Sequence, residues 1–178
     1  MDILIIVLIV IAIIVMIIFN RFVRLRHKVK QSKSSIDVYL TQRFDLIPNL
    51  VECVKGYAKH EEKVFSKIAE MRSDYLKDSD KDLKKGSLLN SEFNRLFAIG
   101  ESYPELRSNE QFQELQRSLI KMESQLQAAR RLYNGDVTLY NTTINTFPNS
   151  IFAMLFNFKE YDLFEIEEYK KDNIKVDL

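Results

Sequence analysis

The chain has 178 residues, 46% of them hydrophobic, with 26 Lys or Arg against 25 Asp or Glu. The near balance is uneven: residues 1–33 hold six of the bases and one acid, leaving the remainder with 20 bases, 24 acids and a net charge of −4. Such a body has no clustered basic face for nucleic acid, one cysteine excludes an internal disulfide framework, and four glycines with no Walker or dinucleotide motif argue against nucleotide chemistry.

Residues 3 to 19, ILIIVLIVIAIIVMIIF, form an unbroken apolar run. At ~1.5 Å per residue it spans roughly 26 Å, close to the ~30 Å hydrocarbon thickness, and a snorkelling Arg21 closes the difference. The predicted membrane anchor is Ile3, Leu4, Ile5, Ile6, Val7, Leu8, Ile9, Val10, Ile11, Ile13, Ile14, Val15, Met16, Ile17, Ile18 and Phe19, with insertion favourable by roughly 5 to 9 kcal/mol. A cleaved signal peptide needs a basic start and a small-residue cleavage site, whereas Asp2 precedes the run and Asn20-Arg21-Phe22 follows it. Arg21, Arg24, Arg26, Lys28, Lys30 and Lys33 form a collar on the C-terminal side only. That asymmetry predicts an outside N-terminus and a cytoplasmic body, with the collar touching anionic lipid.

Beyond the collar the pattern is helical and no alternating strand pattern interrupts it, so an all-α fold is expected. Val29, Ile36, Leu40, Phe44, Ile47, Leu50, Val54, Phe65, Ile68 and Tyr75 return to one face, predicting a long helix over about 22–76, kinked or broken near Pro48. Residues 77–87 read as a loop and a shorter helix is expected over about 88–99. Ser108 with Gln111 reads as a capping box opening a second long helix over about 109–147. Its seam is Phe112, Leu115, Leu119, Met122, Leu126, Ala129, Tyr133, Val137, Tyr140, Ile144 and Phe147. Two such helices should pack antiparallel as an elongated bundle; placing residue 110 beside 75 puts 147 beside 38. A short apolar helix over about 149–158 would then run back toward the lipid. The expected division is an anchor over 1–20, a basic stalk over 21–35, a helical bundle over 36–164 and a charged tail over 165–178.

Few constellations carry chemistry. His60-Glu61-Glu62 lacks the second histidine of a metalloprotease motif, since residue 64 is Val, and Cys53 sits among Leu50, Val51 and Val54 as a small thiol in an apolar face. Tyr133-Asn134 and Tyr140-Asn141 repeat at seven residues behind Arg130-Arg131. They are read either as seam tyrosines with Asn and Arg serving polar groups of the facing helix, such as Asp45 or Glu52, or as a partner groove. The segment around Ile151, Phe152, Leu155, Phe156 and Phe158 is too apolar for a free loop and too short to span. It is expected to pack on the stalk, enter the lipid interface, or meet another protein.

Three stretches, RFDLIPNLVECVKGYAKHE at 43–61, ESYPELRSNEQFQELQ at 101–116 and AARRLYNGDVTLYNTTINTFPNS at 128–150, together resemble the LemA family. The resemblance covers about residues 30–164 and implies a single-pass bacterial membrane protein with a long-helix domain and no established enzymatic activity. It draws attention to Asp45, Pro48, Asn49, Glu52, Gly56, Tyr57, Pro104, Arg130, Tyr133, Asn134, Tyr140, Asn141, Phe147 and Pro148. Cys53 stands where relatives commonly have Thr. The expected function is a non-enzymatic scaffold at the inner membrane face, needing no cofactor or metal and working with membrane lipid, further copies of itself or a membrane protein. The alternatives are an accessory subunit of a membrane protease or quality-control system, and an enzyme in which Glu52, His60 and Arg130 converge.

Overall fold

A computed structural model of the chain describes residues 2–57, 62–77, 98–99 and 102–164. Among these the regular structure is helical, as expected: α1 (Asp2–Asp45), α2 (Ile47–Lys55), α3 (Glu62–Lys77), α4 (Pro104–Arg107), α5 (Glu110–Asn145) and α6 (Asn149–Leu155). The expected loop over 77–87, most of the expected helix over 88–99 and the charged tail lie outside the described residues. The chain divides into two compact units, residues 1–33 with 130–178, and residues 34–129.

Neither proline nor glycine occurs before Pro48, so the apolar run and the collar grow into one helix, α1. It is long and apolar enough at its N-terminal end to cross a membrane. Ile3 to Ile14 point outward with no protein to cover them, as lipid-facing side chains must.

In the unit formed by residues 34–129, the break before Pro48 has a specific chemistry. Proline has no N–H to donate to the carbonyl four residues back, which is that of Phe44. The helix stops at Asp45, Leu46 bonds back to Arg43 O at 3.3 Å, and Arg72 of α3 donates its Nε–H to the Phe44 carbonyl at 3.1 Å. Arg72 thus supplies the donor that proline withholds. Arg72→Ala should remove that donor and cost about 1 to 3 kcal/mol, measured as a lowered urea midpoint at constant slope.

The expected single helix to residue 76 is broken a second time, at Gly56-Tyr57. This turn sets the pairing register. Asn109, just ahead of α5, donates to the Tyr57 hydroxyl at 3.2 Å, and Arg43 meets Glu123 at 2.7 Å, so α5 runs antiparallel to α2 and α1 beginning beside residue 57. The expected start beside residue 75 is wrong because the helix containing residue 75 is a separate element. Ile36, Leu40, Phe44, Ile47, Leu50, Val54 and Ile68 are buried, as are Leu106, Phe112, Leu119 and Leu126. The α5 cap is also displaced by one residue. Asn109 Oδ1, not Ser108, accepts the Phe112 N–H at 3.0 Å, because Ser108 closes the turn of α4 with its own N–H and hydroxyl.

In the unit formed by residues 1–33 and 130–178, the buried set is Phe22, Val29, Tyr133, Val137, Tyr140, Ile144 and Ala153. Ser32, also buried, turns its hydroxyl back onto the carbonyls of Lys28 and Val29. The α5 seam ends at Ile144. Phe147, expected on it, lies beyond the helix and is 78% exposed. The Phe147–Pro148 bond is cis, and Asn149 donates to the Thr143 carbonyl at 3.1 Å, satisfying one of the orphan carbonyls at the α5 end. The return helix α6 stops at Leu155, not 158. Asn157 takes a left-handed φ of 55° while Phe158 N–H bonds Ala153 O and Asn157 N–H bonds Met154 O. This is a Schellman cap with asparagine in the position usually held by glycine.

Candidate functional site

Past that cap, residues 159–164 run without helix along α5, and the repeated Tyr-Asn pairs hold them. Asn141 donates to the Tyr161 carbonyl at 2.8 Å and accepts the Tyr161 N–H at 3.1 Å. Seven residues earlier, Asn134 does the same for Phe164 at 2.9 and 2.7 Å. Each amide side chain therefore presents a donor and an acceptor to one residue's backbone, as a neighbouring β-strand would. The tyrosines add a carbonyl each: Tyr140 donates to Lys159 O and Tyr133 to Asp162 O, both at 3.0 Å.

The lengths explain the repeat. Seven helical residues rise about 10.5 Å, and the three steps from Tyr161 to Phe164 span about 10 Å of extended chain. A heptad of α5 therefore meets the strap in register, running antiparallel to it. The Tyr161 ring packs edge-on against Tyr140 at 5.3 Å, and the Arg130 guanidinium lies over the Phe164 ring at 4.6 Å, an arrangement favourable by about 1 kcal/mol. The five candidate residues Arg130, Tyr133, Asn134, Tyr140 and Asn141 are thus brought together, but onto the chain's own C-terminal strap rather than onto a facing helix. The heptad spacing was the available signal, and an extended partner was missing from the sequence reading.

Burial raises the pKa of Tyr133, helped by Asp162 and Tyr161, and burial likewise raises that of Tyr140, helped by Tyr161 and opposed by Arg26. Both phenols must keep their protons to donate. A folded value above the unfolded one means their stabilisation is complete below the usual tyrosine range near 10 and is lost as pH rises through the raised values. In a tyrosine absorbance titration, Tyr133→Phe and Tyr140→Phe should each remove one late-ionising phenol.

The same unit contains an aromatic seat at the end of the apolar run. Phe156 and Phe158 pack edge-on against Phe19 at 5.2 and 5.8 Å, and Phe158 also against Phe22 at 5.1 Å. Arg26 lies 5.9 Å from the Phe158 ring; it and the rest of the collar, Arg21, Arg24, Lys28, Lys30 and Lys33, are exposed. Phe152 is half-buried and Ala153 buried while Ile151 and Leu155 are exposed, so the return segment packs through one side and its C-terminal rings and leaves the other side bare. On the flank of α5 opposite Asn134 and Asn141, Leu132 and Leu139 are 57% and 47% exposed.

In the other unit a cleft of about 710 Å³ opens beside the Gly56-Tyr57 turn, lined by Asn49, Glu52, Cys53, Tyr57, Asn109 and Glu114 among others. Cys53 Sγ lies 3.8 Å from Asn109 Oδ1 and burial raises its pKa, which keeps the thiol protonated and unreactive at neutral pH. Among the described residues no three His, Cys, Asp or Glu converge to hold a metal. Glu52 lines this cleft while Arg130 lies on Phe164, and His60 falls outside the described residues.

The LemA family model matches residues 32–178. The chain is similar to the magnetosome protein MamQ of Magnetospirillum gryphiswaldense, 23% identical over 174 residues, which cover 82% of this chain and 64% of that protein. It is likewise 23% identical over 175 residues to magnetosome protein MamQ 2 of Paramagnetospirillum magneticum, covering 83% of this chain and 64% of the relative. The chain therefore spans about 64% of the length of the curated relatives it matches.

Proposed function

The chain belongs to the LemA family, and from that premise we propose that it is a non-enzymatic, single-pass membrane protein whose cytoplasmic helices form a scaffold by self-association. Membrane attachment follows from the apolar end of α1. The cytoplasmic orientation is carried by the one-sided collar of six Lys and Arg.

One observation supports self-association above the others. Ala128, Leu132, Gly135, Leu139 and Thr142 recur on α5 at steps of four and three, a second seam on the flank away from the strap, and all five are exposed. Gly135 interrupts the middle of this helix at about 1 kcal/mol relative to Ala, yet a Cβ there would meet nothing within 4 Å and its φ is not positive. Among the described residues nothing gives a reason for that glycine. A second helix approaching the seam does, because glycine between leucines lets two backbones come close. The Tyr-Asn ladder, by contrast, is spent on the strap and offers no open groove.

Leu132→Glu with Leu139→Glu in the full chain, extracted in mild detergent, should reduce the assembly to monomers while changing stability by no more than about 0.5 kcal/mol, as for exposed substitutions. A wild-type chain that is monomeric at the same concentration, or a double variant whose assembly is unchanged, overturns the proposal.

A further inference from the structure

We propose that α6 is a second membrane contact: a short helix lying in the lipid interface on the collar side, with Ile151, Met154 and Leu155 in the acyl boundary. This rests on reading residues 3–19 as a membrane span but not on self-association.

The argument begins with depth. Phe19 is the last residue of the apolar run, so its ring marks the edge of the hydrocarbon. The rings of Phe156 and Phe158 touch it at 5.2 and 5.8 Å, which places the C-terminal end of α6 at that level. A helix of seven residues is about 10.5 Å long. Even the far end of α6 therefore lies no more than about 10.5 Å from that level, comparable with the depth of about 5 to 10 Å to which interfacial helices sink.

The second step concerns which side of α6 is bare. Ile151, Met154 and Leu155 stand at i, i+3 and i+4 and share one face; they are 57, 84 and 72% exposed. The opposite side carries Ala153, which is buried, with Asn149, Ser150 and Phe152 half-buried against the protein. Three large apolar side chains on one turn of helix, beside the membrane boundary, are in the environment where their exposure favours rather than opposes the fold.

Charge completes the case. No Asp, Glu, Lys or Arg occurs from Val137 to Phe158, so sinking α6 into the interface desolvates no charge. Exposed Arg21 and Arg24 follow Phe19 along α1, and exposed Lys159 follows Phe158 at the start of the strap, all near the level of the lipid phosphates. The lipid surface is favoured over a protein partner because the patch is continuous, through Phe156 and Phe19, with a segment that lipid already surrounds.

The chain contains no tryptophan, so one introduced indole reports alone. Met154→Trp should be tolerated at so exposed a position. In full-length protein reconstituted in nanodiscs, its emission should be blue-shifted, and replacing the lipid with one brominated at mid-chain should at least halve it. Ile11→Trp must be quenched in the same discs, which checks the span itself. Water-like emission at residue 154, sensitive to iodide and indifferent to lipid bromination, overturns the proposal while leaving the span intact. So does a blue-shifted emission that brominated lipid fails to quench, since a protein surface would then cover the residue.

Discussion

Replacing Asn134 and Asn141 together with Ala should release the strap from α5 while the two units keep their cores. The pair supplies four hydrogen bonds to backbone groups of Tyr161 and Phe164. At about 1 kcal/mol each, the loss is roughly 3 to 4 kcal/mol of local stability, or more than a hundred-fold in the opening equilibrium. Hydrogen exchange reads this at the right atoms, because the amides of Tyr161 and Phe164 are themselves donors to the two asparagines. Both should exchange at least a hundred times faster in the double variant, with amides in the middle of α5 unaffected. Asn134→Asp and Asn141→Asp test the geometry further. A carboxylate keeps the acceptor for each N–H but has no donor for the carbonyl, so each should lose about half the effect of the corresponding Ala change.

The second large effect is expected at Arg43, which lies 6% exposed in the seam of α1 with Glu123 at 2.7 Å. Gln127 also donates to Glu123, at 2.7 Å, and fixes the carboxylate from its far side. Glu123→Ala removes the carboxylate that lies 2.7 Å from a buried guanidinium. Breaking a fully buried pair costs about 3 to 5 kcal/mol; with the Glu123 side chain 32% exposed, about 2 to 3 kcal/mol is expected in urea unfolding. Arg43→Met with Glu123→Leu should recover most of it, since replacing both partners by apolar groups removes the desolvation cost as well. A double variant as unstable as Glu123→Ala alone would show that the arginine acts through packing rather than charge.

The parts legible in sequence are those written by periodicity and by single residues with strong backbone effects. The apolar run of 3–19, the α5 seam from Phe112 to Ile144 and the stop at Pro48 all follow from spacing or from a missing N–H. The turn at Gly56-Tyr57 was not legible, because the apolar spacing continues through Phe65, Ile68 and Tyr75 as though one helix ran on. That turn shifts the pairing partner of Asn109 from residue 75 to Tyr57. In the other unit, Tyr140 lies close enough to Arg26 to feel its charge. At the candidate site the right side chains stand out in the sequence, and the Tyr-Asn heptad is open to two readings there, polar service to a facing helix or a partner groove. Its partner was missed because residues 159–164, KEYDLF, have no helical or strand period of their own. An extended segment held only by side-chain amides leaves its pattern on the helix that grips it, not on itself.

The glycine at 135 then becomes the residue that distinguishes a self-associating scaffold from a solitary membrane-anchored protein. In cells expressing the full chain with Cys53→Ser, so that no native thiol competes, Gly135→Cys should form a disulfide-linked dimer under mild oxidation of intact membranes. Thr138→Cys, exposed on the same helix but turned toward the strap-gripping Asn134 one turn away, should not. Monomer alone from Gly135→Cys, or equal dimer from both positions, would contradict the account.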